Sequence, residues 1–562
     1  MHRRWLLKRT NPEYLDYLCR AASVPPALAQ VLVNRGVKTP AEIAAFMSPA
    51  LESLGDPFDI GGVDDLVETV LGARKRGTRV FVHGDYDADG LTATAIMVGA
   101  LRILGIETDY YIPNRFSDGY GFHPRAVERA ASLGAGLIIT VDCGITSFEA
   151  AGEARKRGIG LVITDHHEPG AELPEALAVI NPKLQAPASP AAGLSGAGIA
   201  LRAVEALARG AEGLEPLEFM DLAALGTLAD SVPLVGENRV IVKEGLALIS
   251  DPRRAGLRAL RDVSGVGKRE LRAGLLAFTL IPRINAAGRL ADATEVVDLM
   301  LTDSSKRAEE IALSLDRMNT ERQKTEEAVL GEALEMIERR GHGSAIVLAA
   351  EGWHEGVLGI VASKIAETYN RPSFVLSIKD GAARGSARSA GGFDVHAALA
   401  KLRKRLLRFG GHKQAAGLKL DLAELPAFER EMDSLAGERL EDFRPVLDID
   451  AEVDLRDVTF SLVRELERLE PFGAGNPSPV LGARGLDPIN PRVVGNNHLK
   501  VKLRGGNCAH DAIGWGMGEL LGFVSDSGAV DAAFAATIND WDKGRMVQLS
   551  LKGLRTSGGE AA

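Results

Sequence analysis

Three short apolar runs restrict what this chain can fold into. Val80–Val82, Leu137–Val141 and Gly160–Thr164 are rich in β-branched residues and lie between stretches with helical periodicity. Such runs read as parallel strands buried on both faces. The first leads into His83 and Asp85, the second into Asp142 and the third into Asp165-His166-His167. The strand ends lie roughly 20 to 65 residues apart, which leaves room for βαβ crossovers. Open α/β sheets bind ligands at the carboxyl ends of their strands, so these polar residues are expected to share one crevice. Asp230, within Leu225–Pro233, ends a further apolar segment and is a fourth candidate.

The first strand end is the most acidic. His83-Gly84-Asp85-Tyr86-Asp87-Ala88-Asp89-Gly90 places three carboxylates within five residues, just before an apolar helical start at Leu91–Met97. Like charges at that density repel one another, and a divalent cation offsets the cost. Carboxylates with one or two imidazoles suit Mn²⁺ or Mg²⁺. The three cysteines, Cys19, Cys143 and Cys508, are widely spaced. That argues against a structural zinc site or a disulfide framework and for a reducing, cytoplasmic setting. Cys143 reads as a packing residue, because no activating base is implied beside it.

The 562 residues are enough for three or four domains. No run of eighteen apolar residues suggests a membrane span, and the start shows no secretory signal. The net charge of −10 does not announce a nucleic-acid binder. Local clusters do better: Arg253, Arg254, Arg258, Arg261, Lys268, Arg269 and Arg272 in one segment, and Lys401, Arg403, Lys404, Arg405 and Arg408 in another. Either is a solvated helix face or a groove that tracks a phosphate backbone. The Gly265–Gly267 turn is a further possible backbone contact.

The chain divides at changes of pattern. Residues 1–45 read as a helical lead-in, and residues 46–235 alternate strand and helix. Residues 236–340 are helical and end in a long connecting helix, with Ile311, Leu315, Met318, Val329, Ala333 and Met336 on one face. Residues 341–430 form a second α/β region, in which Gly385–Ser389 reads as a polar loop suited to grip phosphate. Gly410–Gly417 is a similar glycine-framed segment. In residues 445–556, Leu499, Val501 and Leu503 alternate with Lys500, Lys502 and Arg504, a half-buried strand with a basic face. That fits a small β-barrel. Phe472, Trp515 and Trp541 are candidates for base stacking there, or for its core.

His83, Asp87, Asp89, Asp142 and Asp165-His166-His167 together resemble the DHH phosphoesterase superfamily, named for the last triplet. Gly84–Gly90 is similar to its RecJ branch, the single-strand-specific exonucleases. Pro113–Gly121, Asp142–Thr146, Pro282–Arg289 and Phe409–Gly417 agree with that branch, in order, along nearly the whole chain.

The resemblance implies an α/β multidomain protein: a parallel-sheet DHH catalytic domain, a long connecting helix, a smaller α/β DHH-associated domain and a C-terminal OB-fold barrel. It implies two ions, Mn²⁺ or Mg²⁺, bridged by Asp142. Asp87 with His83 or Asp85 would complete one; Asp89, His166 and Asp230 the other. His167 would touch the scissile phosphate or act as an acid. Arg115, Arg289, Ser386, Arg388 and His412 would contact substrate phosphates. The implied reaction is 5′→3′ hydrolysis of single-stranded DNA to 5′-mononucleotides, in recombination and repair. Single-strand binding protein and a RecQ-type helicase are the implied partners, and a monomer is expected. Two competing expectations are a DHH phosphodiesterase of short oligonucleotides or cyclic dinucleotides, and a non-catalytic replication scaffold.

Overall fold

The computed structural model describes residues 3–115, 118–119, 121–185, 189–267, 269, 271–439, 443, 445–539 and 545–558. Lys268 and Trp541 lie outside the described residues. The chain forms two compact units, Thr10–Asn319 with Ser461–Pro479, and residues 1–9 with Thr320–Phe460 and Val480 onward.

The first unit is built on a five-stranded parallel sheet. Its strands are β1 (Val80–His83), β2 (Thr108–Tyr111), β3 (Leu137–Val141), β4 (Gly160–Thr164) and β5 (Ala178–Ile180), in spatial order β2-β1-β3-β4-β5. In this doubly wound order the topology reverses between β1 and β3, and the crevice outside that switch point is where such sheets bind ligands. Val80 is in register with Leu137 and His83 with Thr140, so the residues after β1 and after β3 emerge side by side. β1 and β3 are buried along their whole length, as β-branched runs between two helical layers should be.

Helix α1 (Ala88–Ile103) follows β1, and Asp87 caps it by accepting hydrogen bonds from the Asp89 and Gly90 amides. Leu91, Ile96, Met97 and Leu101 of α1 are fully buried. Each contributes about 1.5–3 kcal/mol of hydrophobic stabilisation, which fixes the acidic loop at its head. Helices α2 (Gly196–Gly210) and α3 (Met220–Ala229) pack against α1. Further along lie α4 (Ala273–Phe278) and α5 (Leu280–Leu290). The expected long helix is α6 (Ser305–Arg340), of 36 residues.

The second unit holds a five-stranded mixed sheet and a barrel. The sheet comprises β6 (Ile346–Glu351), β7 (Ser373–Lys379), β8 (Ala382–Arg388), β9 (Arg408–Gly411) and β10 (Ala415–Asp421), ordered β9-β10-β8-β7-β6. Helix α7 (Glu355–Tyr369) packs on β7 and β8. Gly385–Ser386 is not a loop: it lies inside β8, paired with β7 and β10. The barrel comprises β11 (Leu481–Val494), β12 (His498–Gly505), β13 (Cys508–Gly514), β14 (Val530–Asn539) and β15 (Met546–Thr556). It closes through the β11–β14 pairing. Leu499, Val501 and Leu503 point into it, as their alternation predicts.

Two expectations fail. The helical lead-in begins with a strand, Arg4–Leu7, paired in parallel with Val446–Ile449 of the second unit. Phe472 is not a barrel residue, because Ser461–Pro479 belongs to the first unit. Among the described residues no helix is long and apolar enough to cross a membrane.

Candidate metal centre

The acidic loop, Asp142, His166, His167 and Asp230 converge beyond the β1/β3 switch point. Three groups of ligand atoms lie within 4.8 Å of one another: Asp85, Asp87 and Asp142; Asp89, His166 and Asp230; and Asp142, His166 and His167. Asp142 belongs to two of them and is held at φ +61°, a left-handed turn that swings its carboxylate in from the end of β3. His166 Nε2 lies 3.1 Å from Asp142, 3.6 Å from Asp230 and 3.8 Å from Asp89.

The electrostatics call for a cation. Burial, then repulsion from Asp87, lifts Asp89 to about 7. Burial, then Asp89 and Asp87, lifts Asp230 to about 8. Burial pushes Asp85 and Asp142 well above the usual carboxylate range, and neighbouring carboxylates add to it. Asp85 Oδ1 and Asp142 Oδ1 are buried without a hydrogen-bond donor among the described residues. A buried polar atom left in that state is costly, and a divalent ion would satisfy both. Carboxylate oxygens with one or two imidazoles fit Mn²⁺ or Mg²⁺; no thiol is among them.

The triplet Asp165-His166-His167 divides its work. Asp165 is not among the grouped ligands, because both its oxygens are already engaged. Oδ2 accepts from the Ile145 amide at 2.9 Å, and Oδ1 from the His167 amide at 2.9 Å and from His167 Nδ1 at 2.8 Å. Burial works against a charged His167. The Asp165 hydrogen bond and charge, with Asp230 and Asp85, outweigh it and lift His167 to about 9. Asp165 therefore orients a cationic imidazole.

His83, one of the two open ligand choices, is not brought into the grouped ligand atoms. Its Nε2 faces the Gly121 carbonyl at 3.4 Å, and its ring packs against Phe122 and Tyr111. Like Phe81 it lies on the opposite face of β1 from Val80 and Val82, by strand alternation. Burial drops its pKa to about 4, which suits a neutral packing residue.

Arg115 lies over the Tyr86 ring at 5.4 Å, beside the acidic loop. Arg289 is in the last turn of α5, whose Asn285 Oδ1 accepts from the Ala88 amide at 2.9 Å. Ser386 and Arg388 lie in the second unit against the first turns of α7. A Cβ on Gly359 would stand 2.8 Å from the Arg388 guanidinium and 3.4 Å from Ser386 Oγ. His412 is exposed at the β9–β10 turn.

Sequence reasoning missed the start of α2. Ser195 caps it, and the Gly196 and Ala197 amides donate to Asp89 at 2.6 and 2.9 Å. A Cβ on Gly196 would lie 2.6 Å from the Asp142 carboxylate, so only glycine fits there. The available signal was a Ser N-cap before an apolar helix.

Among proteins of known family, residues 79–227 match the DHH family N-terminal domain, residues 342–438 the DHHA1 domain and residues 449–553 the RecJ OB domain. The single-stranded-DNA-specific exonuclease RecJ of Bacillus subtilis is 36% identical over 556 residues, covering 98% of this chain and 70% of that protein. The Dickeya dadantii protein of the same name is 37% identical over 559 residues, covering 95% of this chain and 96% of its own length. The crystal structure of RecJ in complex with Mn²⁺ from Thermus thermophilus superposes with a TM-score of 0.87 at 34% identity, covering 99% of this chain and 80% of that one. A Mg²⁺ complex from the same source gives 0.80 at 32% identity, covering 99% and 79%. Fold and matches together define the class, a DHH-type domain coupled to a DHHA1 domain and an OB barrel. More narrowly, the chain belongs to the RecJ family.

Proposed function

We propose that the protein is a divalent-metal-dependent exonuclease that hydrolyses single-stranded DNA 5′→3′ to 5′-mononucleotides, in DNA recombination and repair. The observation that carries the reading is Asp142, shared between two groups of ligand atoms. Asp85, Asp87 and Asp142 would hold one ion; Asp89, Asp142, His166 and Asp230 the other. Two bound Mn²⁺ or Mg²⁺ ions would activate a water and stabilise the attacking and leaving oxygens.

The chain's own residues do the rest. The α2 amides fix Asp89. Asp165 holds His167 with its proton on Nδ1, so that the cationic ring meets the anionic phosphodiester and offers Nε2–H to an oxygen. Arg115 and Arg289 bind phosphates near the metal loop; Ser386, Arg388 and His412 bind a further one. Lys500, Lys502 and Arg504 supply a basic barrel face. Trp515, 61% exposed with His498 against its edge at 4.8 Å, offers a base a stacking surface. We further assign single-strand binding protein and a RecQ-type helicase as partners, a cytoplasmic location and a monomeric state.

The test is a long, end-labelled single strand with Mn²⁺, comparing the native protein with Asp142→Ala. Mononucleotides released from the 5′ end by the native protein alone are expected. Cleavage confined to short oligomers, or no cleavage, overturns the reading.

A further inference from the structure

Phe278 is 85% exposed, the most exposed large apolar side chain among the described residues. Helix α4 buries Ala273 and Leu276 and turns Gly274, Ala277 and Phe278 outward. At spacings of three and four these three share a face. The space a Cβ would fill at Gly274 is open. The small neighbours leave a flat approach to the phenyl ring.

The chain after Phe278 leads directly to the metal loop. Thr279 breaks the helix and α5 follows. At its middle Asn285 accepts from the Ala88 amide, and near its far end Gly288 packs so closely on Tyr86 that a Cβ would lie 2.3 Å from its carbonyl oxygen. Arg283, in its first turn, is tied to Asp316 and to the Thr279 carbonyl and so fixes the helix itself. At 1.5 Å per residue α5 rises about 12 Å from Leu280 to Gly288, the length of roughly three to four stacked nucleotides, and Phe278 stands just before it. Exposed Arg269 and Arg272 stand just before α4; Arg272 also pairs with Glu467 and Glu470.

We propose that Phe278 is a stacking platform for one unpaired base of the substrate strand, about four nucleotides from the metal loop, with α5 as the spacer. The proposal rests on the exonuclease reading above. A base is favoured over a protein because one ring among small residues offers far less than the ~1,000 Å² a specific protein interface needs. Its continuity with the metal loop through α5 points the same way. The contact is blind to sequence, because every base has an aromatic face.

The test is steady-state hydrolysis of oligodeoxythymidylates carrying one abasic site at successive positions from the 5′ end. Phe278→Ala should raise KM about fivefold or more, with kcat nearly unchanged and the melting temperature retained, and Phe278→Trp should restore it. In the native protein an abasic site at one position near the fourth should raise KM by a similar factor; in Phe278→Ala that position should make no difference. A native KM in Phe278→Ala, as a protein-docking residue would give, overturns the proposal. So does an abasic penalty that persists in the variant. If the native protein degrades no single strand at all, the exonuclease reading fails first, and Phe278 loses its ligand with it.

Discussion

Two charged regions of this chain look equally suggestive in sequence and end in opposite states. The basic segment at Arg253–Arg272 spends most of its charge on the fold. Arg254 pairs with Asp221 at 2.9 Å and donates to the Glu218 and Met300 carbonyls. Arg258 donates to the Pro252 and Arg253 carbonyls, and Arg261 to those of Ile249, Ser250 and Gly267. The acidic loop does the reverse. Among the described residues, Asp85, Asp89 and Asp142 have no cationic partner of comparable strength, and burial together with neighbouring carboxylates raises their pKa values. Charge that finds an internal partner is structure, while charge packed against its own sign is built for something the chain does not contain.

The sharpest way to break that contrast is to remove one charge from each region. Asp142→Ala should lower exonuclease activity by a factor of about 10³ or more, since it removes a ligand from two of the three groups. It should also abolish Mn²⁺ binding in calorimetry, while the metal-free protein melts no lower than native, because a repelling charge has gone. Arg254→Ala should do the opposite. It leaves Asp221, which is 5% exposed, without its counter-ion. The expected loss is about 2–3 kcal/mol in urea unfolding, with Mn²⁺ affinity unchanged. If Arg254→Ala lost metal binding, or Asp142→Ala destabilised the metal-free fold, the contrast would fail.

A smaller effect separates the regions by pH. With Asp89 near 7 and Asp230 near 8, the folded chain holds protons that the unfolded chain has released above about pH 4. The metal-free fold therefore loses stability as pH rises from there to about 8. Mn²⁺ competes with the same protons, so its stabilising shift in melting temperature should grow from about pH 6 to about pH 8.5. A shift that stays flat or shrinks over that range contradicts the arrangement.

What could be read beforehand follows from the range of the forces involved. The strands β1, β3 and β4 are legible because their uninterrupted apolar runs are local signals. The edge strand β2 (Thr108–Tyr111) and the three-residue β5 carry too little pattern, and the Arg4–Leu7 strand pairs with residues more than 400 positions away. Asp85, Asp87, Asp89 and Asp142 are legible because like charges at a strand end have few other uses. The fate of Asp165 is not, since its oxygens are engaged by backbone amides that only the folded loop supplies. Nor is the hold of α2 on Asp89, because Ser195-Gly196-Ala197-Gly198 reads equally well as a flexible loop.

The finest distinction lies within the acidic stretch itself, between His83 and Asp85. The two are two residues apart and both nearly fully buried, yet only Asp85 joins a ligand group. His83 faces Gly121 and Phe122 with a neutral ring, so His83→Gln keeps a donor for the Gly121 carbonyl and removes mainly packing. Its Mn²⁺ affinity should stay within about twofold of native, with a stability loss of about 1 kcal/mol. Asp85→Asn preserves shape but removes a charge from the Asp87–Asp142 group, and should weaken Mn²⁺ binding by about tenfold or more in the same titration. Equal losses from the two variants would restore His83 as a ligand and require its ring to leave the Gly121 carbonyl and the Phe122 ring for the metals.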